Sequence, residues 1–289
     1  MSKMTQPEFS IETALLLCKF AEKAYDDKTQ FDMSEEGFGT VHPVEHSSTD
    51  TQGFIAKHDS RSDVVATFRG TEMKLPDLLT DAKFFASGYS YSKGIKGFLA
   101  RIFASKRVHS GFLKAYRAVR EEVRTQVSDY LSWVEGDRRV LVTGHSLGAA
   151  LATLCALDLR EMLDTAGMED VPVILYTFGS PRVGTPRFVK YHAARITDSW
   201  RIVNDEDIIA TVPPKFNIFR LWLGYRHIPH FKFIDKNGKF DDSRTDKEEQ
   251  KPAKLENILG LIADFFDPES LNDHAIKNYY KKLLAISAE

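Results

Sequence analysis

The sequence predicts an α/β protein in which a mainly parallel sheet is covered by helices on both faces. Short apolar runs typical of strands alternate with helical patterns along most of the chain, which favours parallel strands joined by crossing helices. The 289 residues are 43% hydrophobic, enough for a full core. Neither an internal repeat nor a Pro/Gly-rich linker divides them. Residues 1–289 are therefore expected to form one domain.

The first predicted element is a helix capped by Ser10, because apolar residues follow Ser10 at helical spacing as far as Ala21. Two short strands are predicted at Gly53–His58 and Ser62–Arg69, the second being rich in β-branched residues. Apolar residues then recur every three or four positions over Phe112–Val134 and predict a second long helix.

The second half of the chain continues the alternation. The run Arg139–Thr143 predicts a buried strand, and a helix is expected from Ser146 to about Met162. The mixed-charge stretch Asp235–Lys254 is expected to be a solvated excursion. The remaining predicted elements are strand Val171–Phe178, a helix near Arg187–Ala194, strand Trp200–Val203, and helices Ala253–Phe265 and Leu271–Ile286.

Composition excludes several classes of protein. Lys and Arg total 39 and Asp and Glu total 41, a net charge of −2, which argues against nucleic-acid binding through bulk positive charge. Mean hydropathy is −0.30, and no apolar run approaches the roughly 20 residues of a membrane span. Cys18 and Cys155 cannot build a disulfide framework, and neither has the spacing of a metal site. We expect Cys155 to lie in the core.

The first residues do not resemble a secretory signal. The apolar patch Ala14–Leu17 is too short for a signal core and leads into Lys19 and Glu22. We therefore expect a cytoplasmic protein, or one exported by a route that needs no cleaved signal.

The strongest local motif is Gly144-His145-Ser146-Leu147-Gly148, which follows a strand-like run and precedes a helix of small residues. This pattern is typical of a nucleophile elbow, where a strained turn raises a serine hydroxyl above the sheet. A side chain at either glycine would collide across the turn. The helix dipole behind Ser146 favours developing negative charge.

A serine nucleophile needs a base and an orienting carboxylate, which in elbow enzymes follow it in the order acid, then His. The acid is sought among three carboxylates that end a strand, of which Asp207 is favoured because it opens an apolar run. For the base, His274 precedes a helical pattern. The other histidines that this order allows are His192, His227 and His230, the last two of which lie in a segment with the alternation of a strand.

The chain resembles the class 3 lipases, from about Val64 to Tyr280. The matching motifs, in order, are Phe68–Thr71, Val108–Leu113, Gly144–Ala152, Thr177–Gly184, Asn204–Pro214, Tyr225–His227 and Asp273–His274. The resemblance implies an α/β-hydrolase fold with a lid segment at about 72–107. It implies Ser146 as nucleophile, Asp207 as acid and His274 as base, with the oxyanion held by the amides of Leu147 and Thr71. It further implies a lipase that cleaves acylglycerol-type esters through an acyl-enzyme, without a cofactor or metal.

Other functions stay open. A phospholipase A1, or a small-ester (feruloyl-type) esterase of the same fold, would differ mainly in its pocket and lid. A catalytically silent, membrane-binding homologue is a rival of another class, and the complete set of Ser146, Asp207 and His274 argues against it.

The segment 91–107 carries five cations and no acidic residue, interleaved with aromatic and aliphatic side chains. Basic amphipathic stretches of this kind bind anionic lipid surfaces. An anionic membrane or lipid-droplet surface is therefore an expected partner. The alternative is a solvated segment that packs its apolar face on the sheet.

Overall fold

A computed structural model describes residues 8–70, 86–88, 106–134, 136–205, 207, 224–243 and 275–289. Its helices are α1 (Ile11–Lys23), α2 (Ser110–Ser132), α3 (Leu147–Thr165), α4 (Pro186–Ala193) and α5 (Ile276–Ser287). Its strands are β1 (Thr40–His46), β2 (Thr51–Lys57), β3 (Asp63–Phe68), β4 (Ala86–Gly88), β5 (Arg107–His109), β6 (Arg139–His145), β7 (Val173–Phe178), β8 (Ser199–Asn204) and β9 (Phe231–Ile234). Short 3₁₀ turns lie at Lys28–Gln30, Ser34–Glu36 and Ser47–Thr49.

Seven strands form one mixed sheet in the order β1-β2-β3-β6-β7-β8-β9. The five strands from β3 to β9 are parallel, whereas β1 and β2 add an antiparallel edge. The predicted α/β class, a mostly parallel sheet flanked by helices, is confirmed. The carboxyl ends of β6, β7 and β8 meet at one edge, where ligands bind in open α/β sheets.

Helices cover both faces of this sheet because successive strand residues point to opposite sides. On one face, Val64 and Val140 pack in the cluster that contains α2 and α3. On the other, their neighbours Val65 and Leu141 pack with α1 and α5. The central strands are therefore apolar on both sides, as a parallel sheet under two helical layers requires.

Within the described ranges, the structure contains three strands that the sequence did not predict, β1, β4 and β5, and it moves another. Of β1, only Val44 is buried, so this edge strand lacks the apolar run that marks its neighbours. The predicted strand at the histidine segment was wrong in position, since β9 begins only at Phe231. Pro229 has no amide hydrogen for a ladder, and His230 has φ 61°, which breaks the extended backbone.

Several predictions fall outside the described residues, namely the helix at Ala253–Phe265, the first residues of the last predicted helix, and most of the expected lid. The helix predicted from Ser10 is confirmed, and the Ser10 hydroxyl accepts a hydrogen bond from the Thr13 amide at 3.0 Å. None of the helices in the described ranges is long and apolar enough to cross a membrane.

Candidate active site

Ser146 lies between the last residue of β6 and the first residue of α3. Its backbone has φ 57° and ψ −126°, a conformation that costs a residue with a side chain about 1–3 kcal/mol. The Ser146 amide is held by the carbonyl of Phe178, the last residue of β7, at 3.0 Å. The side chain makes no capping bond to its own helix and is half-buried. Its strained turn presents the hydroxyl at the carboxyl edge of the sheet.

The two glycines of the motif are required by close backbone approaches. A Cβ at Gly144 would lie 2.4 Å from the carbonyl oxygen of Gly148. A Cβ at Gly148 would lie 2.1 Å from the carbonyl oxygen of Phe68 in the adjacent strand β3. The expected collision across the turn is therefore present, and Gly148 also sets the distance between the elbow and β3.

The amide of Leu147 is the first of helix α3, where amides have no acceptor within the helix. The positive end of the helix dipole reinforces this amide, so it suits an oxyanion donor. Gly70, at the end of β3, lies against the elbow, because a Cβ there would be 3.1 Å from Ser146 Cβ. Thr71 lies outside the described residues, and its role as second donor stays a prediction.

Asp207 follows β8 and is only 3% exposed. Its amide donates to the carbonyl of Asn204 at 2.8 Å, which turns the chain at the end of the strand. Its Oδ2 accepts a hydrogen bond from the hydroxyl of Tyr279 in α5 at 2.5 Å. A buried carboxylate needs such a donor to keep its charge. Asp207 thus has the burial and the hydrogen bonding expected of a triad acid.

Two tyrosines that the sequence did not single out as functional residues join the site. The hydroxyl of Tyr25, a residue just beyond α1, lies 2.7 Å from Nδ1 of His145, the residue before Ser146. The Tyr279 ring contacts the His145 ring edge-on, with centroids 6.0 Å apart. Tyr279 therefore touches both the elbow and Asp207. Tyr279 falls within the predicted helix Leu271–Ile286 but was given no role there, and no motif distinguished Tyr25.

His274 lies outside the described residues, so its assignment as base stays a prediction. Of the other histidines that the chain order allows, His192 in α4 is fully buried and His227 is only 1% exposed, whereas His230 is half-buried. Burial lowers the pKa of His192 to about 3, so this ring is neutral at pH 7.

Cys155 is fully buried in α3, as expected, and burial raises the pKa of its thiol well above the usual range.

No group of three or more His, Cys, Asp or Glu side chains within the described ranges could hold a metal ion. These residues do provide a serine on a strained backbone, a helix amide behind it, and a buried, hydrogen-bonded carboxylate at the same edge of the sheet.

Comparison with known proteins places this arrangement in context. The family model "Lipase (class 3)" matches residues 65–217. A secreted mono- and diacylglycerol lipase of Malassezia globosa is 32% identical over 240 residues, covering 80% of this chain and 69% of that protein. A lipase of Rhizomucor miehei is 35% identical over 165 residues, which is 57% of this chain and 41% of the relative. A chloroplastic phospholipase A(1) of Arabidopsis thaliana is 36% identical over 164 residues, 53% of this chain and 34% of that protein.

Among solved structures, one similar to this chain is described as a triacylglycerol lipase whose catalytic centre is a serine protease triad. It has a TM-score of 0.63 and 25% identity, and the match covers 86% of this chain and 92% of that one. The chain thus aligns along most of a solved lipase domain, while it spans less than half the length of several curated relatives.

Proposed function

The chain belongs to the class 3 lipase family, and we propose that it is a serine carboxylic-ester hydrolase that cleaves acylglycerol-type esters. The observation that carries the proposal is the backbone of Ser146, a non-glycine residue at φ 57° between a parallel strand and a helix. Proteins retain backbone strain of this kind where the strained residue serves a function. Here the strained turn presents the Ser146 hydroxyl at the N-terminus of α3.

In the proposed reaction, Ser146 Oγ attacks the ester carbonyl carbon while His274 takes the hydroxyl proton. Asp207 holds the imidazole in the correct tautomer and stabilises the imidazolium. The amides of Leu147 and Thr71 bind the oxyanion. The intermediate collapses to an acyl-serine as the alcohol leaves with the proton from His274. Water then attacks the acyl-serine by the same steps and releases the fatty acid.

Replacing the nucleophile tests this proposal. Ser146→Ala should lower kcat by roughly 10⁴-fold or more, because the acyl-enzyme cannot form. Fluorophosphonate labelling should disappear with it, and the thermal midpoint should not fall. A wild-type chain that neither labels nor hydrolyses esters would instead favour the catalytically silent, membrane-binding homologue. A variant that labels at full stoichiometry would place the nucleophile elsewhere.

We propose acylglycerols as the substrate class because the mono- and diacylglycerol lipase of Malassezia globosa aligns with 80% of the chain. The similarity to a phospholipase A(1) over 164 residues supports phospholipids as the second candidate. A panel of p-nitrophenyl esters from acetate to palmitate, a triglyceride emulsion, a diacylglycerol emulsion and phosphatidylcholine vesicles separates the two. Hydrolysis of the acetate ester alone would favour a small-ester esterase.

We also propose that segment 91–107 docks on an anionic membrane or lipid-droplet surface. Residues 91–105 lie outside the described residues, whereas Lys106 and Arg107 are described. Lys106 Nζ lies 3.2 Å from the centroid of the Tyr191 ring, and burial lowers the pKa of this lysine. Arg107 belongs to strand β5. We therefore assign the lipid contact to the three cations before them, Lys93, Lys96 and Arg101.

Each of those cations should contribute about 1 kcal/mol near an anionic surface. The triple change Lys93→Gln, Lys96→Gln and Arg101→Gln should therefore weaken binding to phosphatidylserine vesicles about 100-fold at low salt. Lys106→Gln is the matched control and should change vesicle binding far less. Sedimentation at low and high salt measures both, since salt screens the attraction. Equal sedimentation of the wild type and the triple variant would exclude this docking surface.

A further inference from the structure

The hydroxyl of Tyr279 makes two hydrogen bonds whose directions are fixed. The backbone amide of Asn204 can only donate, so the tyrosine oxygen accepts from it, at 3.1 Å. The single hydroxyl proton then goes to Oδ2 of Asp207, at 2.5 Å. Tyr279 and Asn204 are 0% exposed and Asp207 is 3% exposed, so water does not compete for these bonds. The amide of a strand thus orients a proton toward the expected acid.

Helix α5 is attached to the end of β8 at a second point. Lys282 Nζ donates to the side-chain oxygen of Asn204 at 2.6 Å. Lys282 lies three residues after Tyr279, so both side chains leave one face of the helix. Asn204 also begins the turn that carries Asp207, through the 2.8 Å bond from the Asp207 amide to its carbonyl. Contacts from α5 therefore fix both the backbone turn that carries Asp207 and the Asp207 carboxylate itself.

We infer that Tyr279 is a positioning residue for Asp207: its hydroxyl holds Oδ2, so that Oδ1 remains directed to the catalytic base. A carboxylate with one oxygen fixed has little freedom to rotate, and a donor to its charged form stabilises the anion. This inference rests on the proposed function. Tyr279 is 72 positions from Asp207 in the sequence. It helps to orient the base by acting through Asp207, and it does not itself touch the substrate.

Tyr279→Phe tests the inference because it keeps the ring and removes only the hydroxyl. A hydrogen bond to a charged group of this kind corresponds to a kcat about 10- to 100-fold lower, with KM on a soluble ester almost unchanged. The acidic limb of the kcat/KM profile should move about one unit to higher pH. The reason is that an Asp207 anion without its donor accepts a proton, or retains the imidazolium, more readily.

Tyr280→Phe is the matched control. It removes a hydroxyl from the next residue of the same helix, which faces Lys19 rather than Asp207. This control should leave kcat and the pH profile unchanged. If Tyr279→Phe and Tyr280→Phe have the same kcat and the same acidic limb, the inference is overturned.

Two measurements keep a folding defect separate from a positioning defect. Active-site titration by fluorophosphonate gives kcat per folded site. Incorporating 3-fluorotyrosine at position 279 keeps the hydroxyl but makes it a stronger donor, so the acidic limb should move to lower pH, and an unchanged limb would contradict the inference. If the wild type hydrolyses the ester and both Tyr279 variants have the same kcat and the same acidic limb as the wild type, the inference is refuted and the proposed function stands. Wild-type protein without hydrolysis refutes the proposed function and the inference with it.

Discussion

Gly148→Ala should destabilise the protein, although the same change inside a helix normally stabilises it. Replacing a glycine inside a helix by alanine usually raises the free energy of unfolding by about 0.5–1 kcal/mol. At Gly148, however, the new Cβ would lie 2.1 Å from the Phe68 carbonyl oxygen and 2.8 Å from the Arg69 carbonyl carbon. Both are backbone atoms, so α3 and the end of β3 must separate by about 1 Å to reach van der Waals contact. Overpacking of this kind costs about 1–3 kcal/mol.

The net expectation for Gly148→Ala is a loss of about 1 kcal/mol in the free energy of unfolding, or roughly 2–4 °C in Tm. The same displacement would separate Ser146 from Gly70, whose positions are in contact across the gap. A misplacement of about 1 Å at a reacting centre lowers the rate about 100-fold. Urea unfolding and hydrolysis of a soluble p-nitrophenyl ester measure the two effects.

Gly111→Ala is the control, because Gly111 is the second residue of α2 as Gly148 is of α3. The nearest atom to a Cβ at Gly111 belongs to the His109 ring, at 3.1 Å, and a side chain can shift by the few tenths of an ångström required. Gly111→Ala should therefore be neutral or slightly stabilising, with normal kcat. A Gly148→Ala protein that is as stable and active as Gly111→Ala would refute the close approach of α3 and β3.

Two further predictions concern charge. Asp207→Asn should lower kcat about 10³- to 10⁴-fold by imposing the wrong tautomer on His274, whereas Asp205→Asn and Glu206→Gln should lower it less than tenfold; Asp205→Asn as the worst of the three in ester hydrolysis would show that the acid is misassigned. Because burial depresses the pKa of His192 to about 3 from 6.5, the unfolded state takes up the proton first, and stability is lost as pH falls below 6.5. Between pH 7 and pH 5.5 this loss is about 1.2 kcal/mol, so urea unfolding of His192→Gln should show a pH dependence weaker by that amount.

The elbow at Ser146 could be predicted from sequence because its geometry is local. Five consecutive residues, Gly144 to Gly148, contain both the glycines and the serine, and the strand and helix around them have clear apolar patterns. The parallel core was predictable for the same reason. Edge strand β1 was not, because pairing with β2 stabilises it and only Val44 of its seven residues is buried.

The sequence narrowed the candidates for the acid to three neighbouring carboxylates and favoured Asp207. It did not identify the side chain that donates a hydrogen bond to Asp207. Burial distinguishes Asp207 from Asp205, since Asp207 is 3% exposed while Asp205 is half-buried and pairs its amide with Ile234 of β9. Tyr279, which donates to Asp207, is 72 positions away. A contact between residues so far apart depends on how α5 packs, and one helical pattern does not specify that packing.

The described part of the site is therefore built from both ends of the chain as well as from its motifs. Helices α1 and α5 pack on the same face of the sheet, beneath β6 and β7. Tyr25 follows α1 and bonds to His145, while Tyr279 in α5 packs against the same ring. Two tyrosine side chains thus enclose His145, the residue before Ser146, and one of them also donates a hydrogen bond to Asp207. Because these contacts join separate elements, a change that loosens α5 should disturb the elbow and Asp207 together, even where Ser146 itself is untouched.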